Sequence, residues 1–570
     1  MGPRPVDRKA RAGGDAAGSG VDKVTARLRR AWGESPFYQA QLNGPAPDRF
    51  AFMPVDPRTP NAQFAAMLRD GKFAVGGQTA ECDGELDRVW DRLSAPGPLY
   101  AYLHEFVWLR HAGALGKDGV EPARTLTRGW LDRFEKWSPA PWAPMTTAER
   151  LILLCCHAGP VLKGMDALWR SRVLASMARQ VRHLARAGWR SETAEARLSG
   201  AFGLTIAGFC LPGCAGEGDR GIELLRRELR LQMRPDGGHV SGDPSRQLAL
   251  LIRLQMVVRA VEKSRGSAPG FLTHAEARAA AFLNLFRVGD GRLALFNGGY
   301  EDDPAAVEAA LQSVDEADAP TGFARHSGFQ RLSAGRVCLI ANTGPAVRRR
   351  EPRQDGRSGT ADDKPATRGV GAFHLSSGRA RIVGNCGSGA HLSADWASAL
   401  RDENAQSTVS AGDGGPTLVA DLEPAHRRGE DARGQLLEIE RVAGDGAGED
   451  PARHLRVFFL AAEGGDLRGR DVFSGPLADE ADRLAIRFHL HPSVKAALSA
   501  DRRTVVLTTA TSETWRFRAD GAGVTLERSV YCGEGGAPAR SDQIVLTPRL
   551  DARDVCGGLA VRWGFKRADF

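Results

Sequence analysis

The spacing of apolar residues changes once along this chain of 570 residues, and that change limits the folds it can adopt. From about residue 85 to residue 290, apolar side chains recur every three or four positions, as in Met165, Leu168 and Trp169, a spacing typical of amphipathic helices. Beyond about Arg325 the spacing becomes two, in short runs separated by Gly, Asp and Pro turns. The sequence therefore predicts a helical half followed by an antiparallel β half.

This change of period also places the domain boundaries. We expect a disordered N-terminus over residues 1–25, a helical domain over 26–320 and a β domain over 321–570. A hydrophobic content of 42% is enough for two cores in a chain of this length. Periodicity leaves open whether the helices form a bundle or a closed ring, and whether the strands form one sandwich or a stack of sheets.

The charge of the chain favours an anionic partner. The formal net charge is +8 and the pI is about 9.1, which suits a uronic-acid polymer or a nucleic acid. A genome rich in Ala, Arg and Gly codons is the competing explanation. No helix-turn-helix, zinc-finger or aromatic RNA-binding signature is present, so we expect no nucleic-acid partner.

Cysteine spacing and the N-terminal sequence indicate the compartment. The nine cysteines are scattered without the spacing of a disulfide framework or a zinc site, which favours a reducing compartment. The sequence shows no apolar signal-peptide core and no run of 18 apolar residues, so we expect no membrane span. These features predict a cytoplasmic protein.

Nine short segments, in order along the chain, match one known family. They are RGWLDRFEKW (128–137), ASMARQVRHL (175–184), RPDGGHVSGDP (234–244), FRVGDGRLALFNG (286–298), HSGFQRL (326–332), FHLSSGRARIVGNCG (373–387), QSTVSAGD (406–413), RFHLHPSVKA (487–496) and LERSVYCGEG (526–535). Together they resemble the heparinase II/III family, particularly its bacterial branch, over most of the chain.

The resemblance implies an α+β multidomain fold, in which an incomplete (α/α) toroid precedes an antiparallel β-sandwich. It also implies a lyase that acts on an acidic polysaccharide by β-elimination, in which a base removes the C5 proton of a uronic acid and the C4 glycosidic bond breaks. Such sites neutralise the uronate carboxylate with Asn, His or Glu and use Tyr or His as base and acid. Relatives of this kind commonly work in the periplasm, which is the alternative location.

In the helical half the sequence departs from the family pattern at two places. The Asn-His pair of the family corresponds to Glu195 and Ala196. The Tyr-His pair that follows the DGGH turn corresponds to a stretch within residues 244–247, where Arg246 stands and the phenol is missing.

The β half departs as well. The HxH segment of the family corresponds to residues 367–369, the Asp of zinc-carrying relatives to Asn385, and the His of the HSTV element to Gln406. Because all three ligand types are replaced, we expect no cofactor and no structural zinc.

Seven residues remain as candidates for the site. We assign a catalytic role to His239, Arg246, Tyr300 and Gln406, and a substrate-binding role to Arg234, His489 and His491. His239 ends a Gly-Gly turn at a helix entrance, although a capping or core histidine explains it equally well. His489 and His491 alternate along a strand and share a face, although a buried structural role is the competing explanation.

Two functions follow from these replacements. The chain is either a lyase for a uronate-containing polymer with a rearranged catalytic set, or a glycan-binding relative that has lost the chemistry. Both require a positively lined trough between the two halves.

Overall fold

The computed structural model describes most of the chain. The described residues are 27–28, 30–82, 84–93, 97–187, 191, 193–312, 322–344, 369–411, 424–442, 451–552 and 558–568. The N-terminal segment 1–25, for which the sequence predicts disorder, lies outside them.

Helices fill the first half of the chain. They are α1 (Pro36–Gln41), α2 (Ala62–Asp70), α3 (Pro98–His104), α4 (Val107–Ala112), α5 (Val120–Phe134), α6 (Pro144–Leu162), α7 (Ala167–Ala187), α8 (Ala194–Cys210), α9 (Ala215–Gln232), α10 (Pro244–Arg265), α11 (Gly270–Phe286) and α12 (Pro304–Leu311). A small hairpin, β1 (Lys72–Val75) and β2 (Gln78–Glu81), separates α2 from α3. No helix among the described residues combines the length and the apolar content that crossing a bilayer requires.

The long helices form two layers because their surfaces differ. In α8 the side chains from Arg197 to Cys210 are all buried, so this helix has no solvent face. It packs between α6 and α10 in an inner layer. The neighbouring α7 and α9 each keep one exposed face and lie outside. This alternation of inner and outer helices is that of a helical ring.

Two antiparallel sheets form the second half of the chain. The strands are β3 (Phe323–Ala324), β4 (Phe329–Ala334), β5 (Val337–Asn342), β6 (Phe373–Ser377), β7 (Ala380–Gly384), β8 (Val409–Ala411), β9 (Ala425–Asp431), β10 (Gly434–Val442), β11 (Arg453–Ala461), β12 (Asp466–Ser474), β13 (Leu484–Leu490), β14 (Lys495–Leu498), β15 (Thr504–Thr508), β16 (Thr514–Asp520), β17 (Ala522–Tyr531), β18 (Ala539–Pro548) and β19 (Leu559–Arg567). One short helix, α13 (Ala394–Ala399), follows β7, and another, α14 (Pro476–Asp479), follows β12.

Strand pairing defines two sheets, and the burial of their residues shows which sheet lies inside. Nine strands form an inner sheet in the order β17-β18-β13-β7-β6-β5-β4-β3, with β8 paired to β13. Eight form an outer sheet in the order β14-β15-β16-β19-β12-β11-β10-β9. Every residue of β5 and β6 is buried, so both faces of the inner sheet are covered.

Apolar contacts join the helical half to the inner sheet. Phe329 of β4 packs edge-on against Phe282 and Phe286 of α11, with ring centroids 6.2 and 4.8 Å apart. Ile340 of β5 belongs to the same core as the helices. The molecule therefore has three layers: helices, inner sheet and outer sheet.

The two sheets enclose a buried charge network as well as apolar side chains. Asp471 of β12 is fully buried and accepts hydrogen bonds from Arg456 (2.7 Å), His454 (2.7 Å) and the Trp563 indole (2.8 Å). Burial by itself raises the pKa of Asp471, but the charge of Arg456 and the hydrogen bond with His454 outweigh it and hold the pKa far below its ordinary value.

We expect Asp471→Ala to lower the free energy of unfolding by about 3–5 kcal/mol, because Arg456 is left buried without a counter-charge. The matched control on the same strand is Asp466→Ala, whose partner Arg468 is exposed, with an expected loss of at most about 1 kcal/mol. Urea unfolding at neutral pH measures both. Equal losses for the two variants would show that the network does not stabilise the sandwich.

Candidate functional site

The entrance to α10 holds two of the predicted site residues, His239 and Arg246. The chain turns through Gly242, which has a φ of 61°, and Asp243 caps the helix by accepting from the amides of Ser245 (2.8 Å) and Arg246 (3.3 Å). His239 precedes this turn, and its Nδ1 lies 2.8 Å from the Ser241 hydroxyl. Burial and the charge of Arg246 lower the pKa of His239 to about 4, so the ring is neutral at pH 7.

An ion pair occupies the two helical positions where the family pattern is broken. Arg246 Nη1 lies 2.9 Å from Glu195 Oε2, and both side chains are close to 40% exposed, at 41% and 38%. Glu195 begins α8 and Arg246 begins α10, so neighbouring inner helices bring the two residues together. The pair is therefore accessible to solvent at the entrance of α10.

A second pair lies deeper among the inner helices. Arg253 of α10 reaches past Ser199 of α8 to Glu149 of α6, with Nη2 2.7 Å from both carboxylate oxygens. Burial raises the pKa of nearby Glu105 to about 8, and the charge of Glu149 adds to the rise. The guanidinium groups of Arg246 and Arg253 are thus each paired with a carboxylate, so neither one adds an unbalanced positive charge to the predicted trough.

Tyr300 forms a hydrogen bond with a histidine of the β half that was not among the predicted site residues. The Tyr300 hydroxyl lies 3.1 Å from His391 Nδ1, and His391 Nε2 lies 2.7 Å from the Gly536 carbonyl. Because a carbonyl only accepts, Nε2 carries the proton and Nδ1 accepts from the phenol. The Tyr300 amide donates to Ser245 (2.7 Å), so this tyrosine adjoins the residue before Arg246.

The residue after Tyr300 anchors the two halves to each other. Glu301 is buried and accepts hydrogen bonds from Tyr531 and from His491 Nε2 at 3.2 Å, with Arg381 Nη1 at 3.6 Å. Arg381 also pairs with Asp290 at 2.7 Å. Burial alone raises the pKa of Glu301, but His491 and Arg381 outweigh it and bring the pKa to about 2. We call Glu301, Arg381, His491, Tyr531 and Asp290 the junction cluster.

The other predicted residues of the β half serve its interior. Gln406 is 3% exposed, and its amide donates to the Leu400 carbonyl at 3.0 Å. His489 is also buried, between Ser529 (2.8 Å to Nδ1) and the Asn404 carbonyl (3.0 Å to Nε2), and burial lowers its pKa to about 4. Neither side chain reaches the entrance of α10.

Asn385 and Gln406, where the family resemblance implies zinc ligands, are engaged in protein contacts, whereas positions 367 and 368 lie outside the described residues. Asn385 donates to the Leu295 carbonyl (2.7 Å) and accepts from the Ser407 amide (2.9 Å), so both ends of its amide are used. Gln406 is likewise bonded, and within the described part of the chain no three His, Cys, Asp or Glu side chains are arranged to hold a metal. The residues present do not fit a zinc ion.

The structure thus places the predicted residues in separate locations. His239, Arg246 and Tyr300 lie together at the entrance of α10. Arg234 lies at the junction nearby, where its guanidinium donates to the His326 carbonyl at 3.0 Å. His491 belongs to the junction cluster. Sequence reasoning missed His391 because it stands alone in the loop GSGAHLS, without a pattern that signals its role.

Comparisons with known proteins agree with this architecture. Residues 316–563 match the family model described as heparinase II/III-like, C-terminal. The fold is similar to that of heparinase III, with a TM-score of 0.66 and 14% identity over 96% of this chain and 91% of the other. It is also similar to a heparan sulfate lyase of Pedobacter heparinus, with a TM-score of 0.55 and 14% identity over 97% and 91%. The predicted toroid and β-sandwich are confirmed.

One curated relative is similar over nearly its whole length. The chain is 28% identical to FtsZ-localized protein C of Caulobacter vibrioides, strain NA1000 / CB15N, over 577 residues that cover 96% of this chain and 95% of the relative. The two halves therefore occur together in both proteins.

We expect Glu301→Gln to lower the free energy of unfolding by about 2 kcal/mol at pH 7, because the junction cluster loses a charged acceptor. Since the folded pKa of Glu301 lies below its ordinary 4.5, this contribution is present above pH 4.5 and disappears as the pH falls toward 2. Denaturant unfolding between pH 7 and pH 3 measures both effects. The control Glu308→Gln removes an exposed ion pair with Arg287, and we expect it to change the free energy of unfolding by less than about 1 kcal/mol. If the loss of unfolding free energy in Glu301→Gln did not vary with pH, this explanation of the junction cluster would be contradicted.

Proposed function

We propose that this chain, whose residues 316–563 match the heparinase II/III-like C-terminal model, binds a polysaccharide at the entrance of α10 without cleaving it by β-elimination. Uronate-containing polymers are the first candidates, because the solved neighbours include a heparan sulfate lyase. The observation that carries the proposal is the ion pair between Glu195 and Arg246.

That pair is unsuited to the elimination step. Removal of the C5 proton requires a neutralised uronate carboxylate, and a Glu can neutralise it only as the protonated acid. The Glu195 carboxylate is instead ion-paired with the Arg246 guanidinium at 2.9 Å and repels a second carboxylate. The guanidinium of Arg246 attracts it but does not act as a base, because it stays protonated in water. A polar, half-exposed pair of this kind contacts sugar hydroxyl and carboxylate groups without supplying proton transfer.

Tyr300 does not replace the missing base. Burial raises the pKa of its phenol, so the hydroxyl remains protonated at neutral pH. Its proton points to His391 Nδ1, which itself is held by Gly536. Together with Arg246, this hydroxyl supports binding of a sugar.

Affinity electrophoresis in heparan sulfate tests the binding. We expect retardation of the wild type, and a loss of affinity of about tenfold for Arg246→Ala, because Glu195 then faces the ligand without its counter-charge. The matched control is Arg220→Ala, on the exposed face of outer helix α9, with unchanged affinity expected. Equal affinities of Arg246→Ala and Arg220→Ala for heparan sulfate would contradict a binding site at the entrance of α10. An ultraviolet signal of unsaturated uronate from the wild type would contradict the loss of elimination.

A second candidate function is localisation with FtsZ. The 28% identity to FtsZ-localized protein C extends over both halves of the chain, and residues 316–563 alone account for the match to the heparinase II/III-like model. We propose an association with FtsZ as a second property of this chain, separate from glycan binding and compatible with it.

Co-sedimentation with polymerised FtsZ tests this second function. We expect the full chain to enter the pellet with FtsZ polymers and to stay in the supernatant when FtsZ is kept unpolymerised with GDP. Arg246→Ala is expected to sediment like the wild type, because the glycan site is separate. Equal amounts of the chain in the pellet with and without FtsZ polymers would contradict the proposal.

A further inference from the structure

The outward face of the outer sheet carries a concentration of positive charge. On β12, β19 and β16, the inward residues such as Leu467, Trp563 and Phe517 fill the core between the sheets. The alternate positions point away from the core. The outward cations on these three strands are Arg468, Arg470, Arg562, Lys566, Arg516 and Arg518.

Four of these cations surround a residue without a side chain. Gly564 pairs with Arg468 on one side and with Arg518 on the other. Arg562 and Lys566 are its neighbours two positions away on β19, and so share its face. A Cβ atom built at Gly564 meets only backbone atoms within 4 Å, Leu467 O at 3.2 Å and Arg468 Cα at 3.9 Å. The four side chains therefore border a shallow depression with a backbone floor, which we call the Gly564 depression.

The carboxylates on these strands balance only part of this charge. Asp466 pairs with Arg468 at 2.7 Å, and Asp520 approaches Arg562 at 3.8 Å. Arg518 donates to the Thr504 hydroxyl, which is neutral. Six outward cations face two outward carboxylates on these strands, and Glu463 and Asp501 beside the strands interact with Arg468 and Arg518, which leaves an excess of two positive charges among these residues. An anionic partner is favoured at this face.

Apolar side chains next to the depression narrow the class of partner. Phe459 and Val457 of β11 point outward and are half-buried, and they pair in register with Arg468 and Arg470. A carboxylate over Gly564 on β19 therefore lies two strands away from the apolar strip on β11, with Arg468 of β12 between them. Polypeptide segments combine acidic and apolar side chains at such spacings, whereas a sulfated sugar chain carries charged groups on almost every ring and leaves only small C–H faces to pack on an apolar strip.

We propose that the Gly564 depression and the adjacent strip formed by Val457 and Phe459 bind an acidic polypeptide segment that also carries apolar side chains. The carboxylates lie among Arg468, Arg518, Arg562 and Lys566, and the apolar side chains pack on Phe459. This surface is formed by the outer sheet alone, and the proposal does not depend on glycan binding at α10.

Fluorescence anisotropy with a labelled twelve-residue peptide of alternating Glu and Leu tests the proposal. The measurement is made at 150 mM salt, where the Debye length of about 8 Å suppresses long-range attraction. We expect the full chain to bind this peptide, and a peptide with Gln in place of Glu not to bind. The double variant Arg468→Glu/Arg518→Glu is expected to lose at least about tenfold in affinity.

Two further variants distinguish binding in the Gly564 depression from nonspecific attraction to the positive charge of the chain. Gly564→Leu fills the floor without changing the charge, and we expect weaker binding. Arg401→Glu reverses an exposed charge outside the outer sheet, and we expect no change. Thermal unfolding monitored by circular dichroism confirms that each variant is folded.

Three outcomes would overturn the proposal. The first is equal affinity of the double variant and Arg401→Glu, and the second is binding that Gly564→Leu leaves unchanged. The third is binding of a heparan sulfate oligosaccharide, but not of the Glu-Leu peptide, that is lost in the double variant. That result would assign the face to a glycan.

Discussion

The junction cluster is the interaction on which the arrangement of the site depends. Glu301 belongs to the segment that follows the ring of helices, whereas Arg381, His491 and Tyr531 belong to the inner sheet. A buried carboxylate with several donors has a defined position, because each lost donor leaves a charge uncompensated. Tyr300 is the preceding residue, and its contact with His391 follows from that position. The entrance of α10 is thereby held next to the β half.

The site at this entrance has charged residues where the family resemblance implies an amide and a phenol. Glu195 and Arg246 stand at these two positions, and they satisfy each other. Arg253 and Glu149 do the same deeper in the ring. Paired charges hold neighbouring helices in register, but they supply neither a free base nor a free electrophile. The polar groups that remain exposed are suited to holding a ligand.

The sequence predicts the fold well because the two halves have different periods. The helical spacing that includes Leu168 and Trp169 corresponds to α7, and the two-residue spacing expected beyond Arg325 corresponds to strands such as β13 (LAIRFHL). Strands with weak patterns escaped prediction: β9 (AHRRGED) lacks an apolar face, and β14 (KAAL) is short and places only Ala496 and Leu498 against the core. The position of Arg246 follows from the motif before α10. Its partner Glu195 lies 51 positions earlier, and no local pattern predicts a contact at that separation. The hydrogen bond between His391 and Gly536 likewise joins residues that are far apart in the sequence, and no local pattern predicts it.

Hydrogen–deuterium exchange of the full chain, with and without a heparan sulfate oligosaccharide, tests the central claim most directly. A polysaccharide bound at the entrance of α10 slows exchange at the amides of residues 239–247 and 388–392 together, since both segments border Tyr300. The oligosaccharide is expected to remain intact throughout the measurement. Protection confined to the outer sheet, or cleavage of the oligosaccharide to an unsaturated product, would contradict the claim that this entrance binds a glycan without eliminating it.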